Sequence, residues 1–380
     1  MDVVMKSLVS VIAIVLVSPF VTQPVAAQSV EEQIAQAVMP LPEDLRAGAA
    51  VYTYDPDSGA RRVLRKGTNH VECKTRDEDT TWCYPTATRA RRDFRAKLAA
   101  KGKSGEELQA AMAAATEAGT IEPSPFGSML YRTYGKDDRI QLLWAVTLPG
   151  ATSEDLGLST VSQRDNSLAG KGLPWMMRPG TPGAHLMIPI NATELSSKGG
   201  ASTRTNSKAI HDPVAHSVLP LPEDLKAGAT VVTYDSKTGA RKVLRKGTNM
   251  IECQTRDADG FTRCGHKSFA PTSDLRAKLR AEGKSPEEIQ AALEAALKAG
   301  TIASPPIGSM FYRLYEEDDR IKLLWAMLLP NATSEELGMP TGSQRDNSLA
   351  GKGRPWMMLE ETPNAHLMIP INATELSNPK

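Results

Sequence analysis

Six histidines, four cysteines and 5% aromatic residues leave this chain of 380 residues little material for a catalytic or metal centre. It has no Gly-x-Ser-x-Gly turn to carry a nucleophile, no free cysteine teamed with a histidine and no His-Glu-x-x-His helix. It also lacks an excess of charge of either sign. With 45 basic against 44 acidic residues, its net charge of +1 offers no overall attraction to phosphate backbones or anionic lipid, so nucleic acid is not an expected partner. Past residue 27 no apolar run is long enough to span a bilayer, so no transmembrane anchor is expected in the mature chain.

What is present begins with an export pattern. Lys6 supplies a positive charge, Leu8 to Val17 is almost unbroken apolar sequence, and Val25-Ala26-Ala27 offers small residues for cleavage. Pro19 and Pro24 cut the run short of a membrane span. Residues 1–27 are therefore expected to be a cleaved signal peptide and the protein to be periplasmic or secreted.

The remainder is a tandem duplication. PLPEDLRAGA at Pro40 recurs as PLPEDLKAGA at Pro220, RKGTN at Arg65 recurs at Arg245, SQRDNSLAGKG at Ser162 recurs at Ser343, and AHLMIPINATELS at Ala184 recurs at Ala365. The copies cover residues 38–196 and 218–377, with Gly/Ser/Thr-rich linker chemistry over 197–217. Each is long enough for its own core. Because duplication preserves bland and functional residues alike, the differences are informative: His70 faces Met250, Tyr84 faces Gly265, and no histidine matches His266.

Within a copy, alternating segments at Val51–Tyr54, Arg61–Arg65 and His70–Thr75 predict strands, as do Ser128–Tyr134, Arg139–Leu148 and His185–Ile190. Arg89–Lys101 and the segment after Ser104 predict a helical hairpin, with Glu107 three residues past a serine cap. Ser285-Pro286-Glu287-Glu288 is the stronger helix start, and Ile289, Leu293 and Leu297 form its apolar stripe. Each copy is thus expected to be α+β: a largely antiparallel sheet with a helical hairpin packed on one face. In an exported chain the four cysteines point to local disulfides, Cys73 with Cys83 and Cys253 with Cys264.

Several motifs dissolve on inspection. Gly102-Lys103-Ser104 and Gly283-Lys284-Ser285 resemble the end of a phosphate loop, but Lys97 and Lys278 stand where its first glycine belongs. The basic run Arg89, Arg91, Arg92, Arg95, Lys97, Lys101 reads as a solvated helix face, since its counterpart from Ser268 is far less basic. Asn191, Asn331 and Asn372 open Asn-Ala-Thr triplets, which match a glycosylation acceptor and equally a threonine helix cap.

One segment has unusual chemistry. A glycine-rich loop containing Arg164, Asp165 and Asn166 leads to Trp175, Met176, Met177, His185 and Met187; the second copy repeats this with Arg345, Asp346, Asn347, Trp356, Met357, Met358, His366 and Met368. Such a mixture is a core plug or a binding surface. The leading functional expectation is an exported, non-enzymatic binding or interaction protein with two similar modules and no cofactor, its partner an envelope or extracellular protein or a small ligand. In that reading Arg164, Asp165, Asn166 and Trp175, with Arg345, Asp346, Asn347 and Trp356, carry the ligand. The alternative is a periplasmic soft-metal protein holding copper as Cu(I) through Met176, Met177, His185 and Met187 and their counterparts Met357, Met358, His366 and Met368. A third is a hydrolase built on Asp165, Ser167 and His185.

Overall fold

The computed structural model describes residues 28–77, 80–134, 142–163, 172–190, 212–257, 260–315, 321–345 and 353–371. The signal-like segment 1–27 and most of both SQRDNSLAGKG motifs lie outside them. The first repeat opens with α1 (Val30–Ala37) and α2 (Glu43–Arg46), then β1 (Ala50–Tyr54), β2 (Arg61–Arg65), β3 (Val71–Asp77) and β4 (Thr80–Pro85). The helical hairpin α3 (Arg89–Ala100) and α4 (Gly105–Glu117) follows, then β5 (Met129–Tyr134), β6 (Leu142–Thr147), α5 (Ser153–Leu156), β7 (Trp175–Met177) and β8 (His185–Pro189).

The second repeat retraces this order. It runs α6 (Pro213–Ser217), α7 (Glu223–Lys226), β9 (Thr230–Tyr234), β10 (Arg241–Arg245), β11 (Ile251–Gln254) and β12 (Phe261–His266). It continues with α8 (Ala270–Ala281), α9 (Pro286–Lys298), β13 (Met310–Tyr315), β14 (Leu323–Leu328), α10 (Ser334–Leu337), β15 (Trp356–Met358) and β16 (His366–Pro370).

Each repeat is one 8-stranded sheet, in the order β2-β1-β3-β4-β5-β6-β8-β7 and its equivalent β10-β9-β11-β12-β13-β14-β16-β15. Every described pairing is antiparallel except β1 with β3 and β9 with β11. The protein is therefore a tandem α+β duplication. The expected irregular stretch after Gly157 contains an edge strand, β7, too short for its alternation to stand out. An unexpected helix precedes each sheet: Ala37 of α1 is fully buried, and α6 falls within the stretch read as linker.

The disulfides form where the spacing placed them, Cys73–Cys83 and Cys253–Cys264. Each pair stands directly opposite in register on neighbouring strands, and Cys83 Sγ lies 3.3 Å from the carbonyl oxygen of Ala37. Closing so short a loop contributes about 2–3 kcal/mol by the chain-entropy estimate.

The repeated RKGTN motif is a backbone clamp. Arg65 donates to the carbonyls of Ala49 and Arg46, while Asn69 donates to Leu45 O and accepts from Val71 N. Arg245 and Asn249 repeat the arrangement. Gly67 is required between them, since a Cβ there would lie 2.6 Å from Ala50 N.

The capping box at Ser285 and Glu288 is formed, with Pro286 at the first helical position. The matching expectation at Ser104 is not met. Gly105 takes a left-handed φ of 48° where Pro286 holds a helical one, the Ser104 side chain makes no cap bond, and Glu107 pairs with Lys103 instead.

The strands respect the repeat boundaries, yet the largest buried cluster draws on both copies, from Val51, Tyr131 and Trp144 to Val231, Tyr312 and Trp325. The join is reciprocal. Tyr131 Oη donates to Gly338 O at 2.5 Å, and Tyr312 Oη donates to Gly157 O. Gly157 and Gly338 end α5 and α10 in left-handed conformation, with φ of 72° and 71°. A Cβ on Gly157 would sit 2.5 Å from Ile251 Cδ1, and one on Gly338 would sit 2.9 Å from Pro85 Cγ. Each copy thus inserts the end of a short helix against the strands of the other, as in a self-complementary dimer interface.

Candidate functional site

Strand pairing decides which members of the Trp–Met–His segment meet. Trp175 stands opposite Met187 and Met177 opposite His185, so these four share one face of the sheet. Met176 pairs with Leu186 on the other face, and both belong to the large shared cluster. The second copy is equivalent: Trp356, Met358, His366 and Met368 lie on one face and Met357 on the other. Met176 and Met357 therefore do not join the remaining thioethers, because a strand sends successive side chains to opposite sides.

On that outer face Trp175 and Met187 pack with Tyr134, Leu143 and Ala145, and Trp356 and Met368 with Ile321, Leu324 and Ala326. Trp175 and Trp356 are both 1% exposed, which makes them plugs rather than open platforms. Among the described residues the indole N–H of each has no hydrogen-bond partner. His185 Nδ1 lies 2.8 Å from Gly183 O and His366 Nδ1 2.7 Å from Asn364 O, contacts that place the ring proton on Nδ1 and the acceptor lone pair on Nε2. Burial holds the His366 imidazole below its ordinary pKa, with Arg313 and Arg345 acting in the same direction.

Arg164, Asp165, Asn166, Asp346 and Asn347 lie outside the described residues, as does Ser167. Arg345 is placed: its carbonyl accepts from Ile321 N at 3.0 Å, and its guanidinium reaches Met358 Sδ at 3.3 Å. Nearby, a cleft of about 440 Å³ separates Glu43 and Asp44 of the first repeat from Gln344 and Arg354 of the second.

A more distinctive arrangement lies at the middle of the first sheet, where β4 and β5 meet α3 and Tyr134 joins it to the cluster around Trp175. Trp82 and Tyr84 stack at 5.8 Å with an interplanar angle of 3°. The Arg132 guanidinium lies 4.0 Å from the Trp82 ring and 3.6 Å from Tyr134, and that of Arg92 lies 2.8 Å from Tyr84. Arg91 Nη1 donates to Thr116 Oγ1 at 2.7 Å, and Arg92 Nε to Thr88 Oγ1 at 3.2 Å. Both arginines are half-buried, and Arg95 beside them is exposed. Burial lowers the pKa of Arg91, and Arg92 and Arg95 lower it further; burial raises that of Tyr84 against the pull of Arg92, Arg95 and Arg132.

Arg89 of the same run, and Arg61 of β2 beside it, are paired with carboxylates. Arg89 pairs with Glu72 at 2.8 Å, and Arg61 with Glu72 at 3.0 Å and Asp93 at 2.7 Å. The available signal for the difference was the mismatch of Tyr84 with Gly265, which marked this corner as unlike its twin.

No protein-family model matches this chain, and neither a curated protein nor a solved structure resembles it significantly.

Proposed function

We propose that the protein is an exported, non-enzymatic binding protein whose two repeats act as one body. What supports this most is the use made of the duplicated polar and aromatic residues. Tyr131 and Tyr312 cross-brace the copies, Trp144 and Trp325 donate to the carbonyls of Pro40 and Pro220, and Arg65, Asn69 and their twins clamp backbone. These shared residues are committed to structure, which turns attention to the surfaces where the copies differ. The test is a panel of ester, peptide and glycoside substrates offered to the full chain and to an Asp165→Asn, Ser167→Ala, His185→Gln variant. We expect no turnover from either; turnover that the variant loses would replace this reading with the hydrolase.

A second reading keeps copper, because Met177, His185 and Met187 share a face and the His185 proton sits on Nδ1, as in imidazoles that bind metal through Nε2. Met368 is fully buried, so an ion would require the outer face to loosen. A Cu(I) titration against a competing chelator should saturate at about two ions per chain and fail in the His185→Ala, His366→Ala double variant.

A further inference from the structure

We propose that Arg91, Arg92 and Arg95, gathered beside Tyr84 on the first repeat, bind the oxyanion groups of a sulfated or phosphorylated glycan; the proposal rests on the binding-protein reading and gives it a ligand class. Four observations carry it. First, among the described residues none of these arginines has a carboxylate within ion-pair distance, whereas Arg61 and Arg89 next to them do. Second, Arg91 and Arg92 are held in place, by Thr116 in one case and by Thr88 and the Tyr84 ring in the other, so their forked donors are ordered in advance.

Third, the arrangement is unfavourable as it stands. α3 carries no acidic residue in its first turn, so like charges accumulate at the positive end of the helix. A bound anion relieves both the mutual repulsion and the adverse dipole. Fourth, the fold does not need it: the second repeat builds the same hairpin with Thr272 and Ser273 in place of Arg91 and Arg92, and Gly265 in place of Tyr84.

The choice of glycan follows from scale. A net charge of +1 gives a long nucleic acid little to hold, whereas spaced sulfate or phosphate groups on a sugar chain need only this one corner.

Calorimetric titration of the full chain at low ionic strength with a heparin hexasaccharide tests the proposal, with its desulfated form and a single-stranded hexanucleotide as comparisons. We expect one site per chain, since the second repeat has Thr272 and Ser273 for Arg91 and Arg92 and keeps only Arg276 in place of Arg95. The Arg91→Thr, Arg92→Ser variant, which installs the residues of the second repeat, should lose at least about tenfold in affinity at a temperature where its melting curve shows it fully folded. An Arg91→Lys, Arg92→Lys variant should bind between the two, because it keeps charge without the fork. The proposal is overturned if the wild type does not bind, if two equivalent sites appear, if the Thr/Ser variant binds undiminished, or if the desulfated sugar or the hexanucleotide binds as tightly. Such a failure would leave the non-enzymatic reading standing, since that turns on the substrate panel.

Discussion

The outer faces of the two sheets solve one packing problem with different chemistry. In the first repeat Tyr84 and Trp82 stack, with Arg92 and Arg132 over their rings. In the second, Gly265 leaves that space empty and Phe269 fills it, packing on Phe311 at 3.9 Å between ring centroids. There Arg263 occupies the place of Trp82 and pairs with Asp257. The inner faces, by contrast, are close copies: Tyr131 on Trp144 and Tyr312 on Trp325 each form an edge-on pair 4.9 Å apart. A shared core restrains both copies equally, because a change in either disturbs a cluster that belongs to both. The outer faces carry no cluster shared between the copies, so around Tyr84 and Gly265 they are free to diverge.

The strongest challenge to this contrast is to break the inner face in one copy only. Trp325→Ala should cost about 3–5 kcal/mol, and thermal unfolding should remain a single transition, because the cluster spans both repeats. Two transitions, one of them unmoved, would mean that the copies are separate folding units, as expected from sequence.

Next in size is the interlock. Gly338→Ala should cost about 2–4 kcal/mol, combining a left-handed φ with a Cβ pressed on the Pro85 ring. Gly157→Ala should cost less, since the Ile251 methyl it meets is a flexible tip that can turn aside. Equal losses in chemical denaturation would show that backbone strain alone is at work.

On the outer face the exchange should be conditional. A Cβ on Gly265 would lie 3.2 Å from Phe269 Cδ2, so Gly265→Tyr should destabilise by about 1–3 kcal/mol. Adding Phe269→Thr, the residue Thr88 of the first repeat, should recover much of that loss. A double-mutant cycle without coupling would refute the idea that one phenylalanine substitutes for one tyrosine.

The smallest effect is expected from pH. His70 faces Glu335 and Glu360 of the second repeat, and His266 lies near Lys267 and across from Glu154 and Asp155 of the first; burial lowers the pKa of both. Each Nε2 is buried without a partner among the described residues. A depressed histidine contributes stability that is full above its ordinary value of 6.5 and lost as pH falls through the lowered folded value. His366 acts in the same direction, whereas Glu252, raised by burial from 4.5, favours folding on the acid side and opposes the trend only near that value. Melting temperatures should therefore decline from neutral pH toward about 5, and the decline should flatten in a His70→Met, His266→Gln variant.

The candidate sites were legible to different depths. The Trp–Met–His segment drew attention by composition, but whether Met176 or Met177 faces His185 depends on register against β8, which a three-residue strand does not announce. The arginine corner was dismissed because a charge run normally faces solvent. Only the paths of β3, β4 and α3 reveal that Glu72 pairs with Arg89 and Arg61 while Arg91, Arg92 and Arg95 have no carboxylate within ion-pair distance among the described residues.

By itself the sequence determined the duplication, the α+β class, the disulfide pairs and the start of α9, since each depends on local spacing: repeat period, strand alternation, cysteine separation and cap chemistry. The tertiary structure alone decided that the two copies close on each other and that a tyrosine of each reaches a glycine carbonyl of the other. Such contacts join residues more than 150 positions apart. They depend on how whole sheets pack, and no local pattern encodes that.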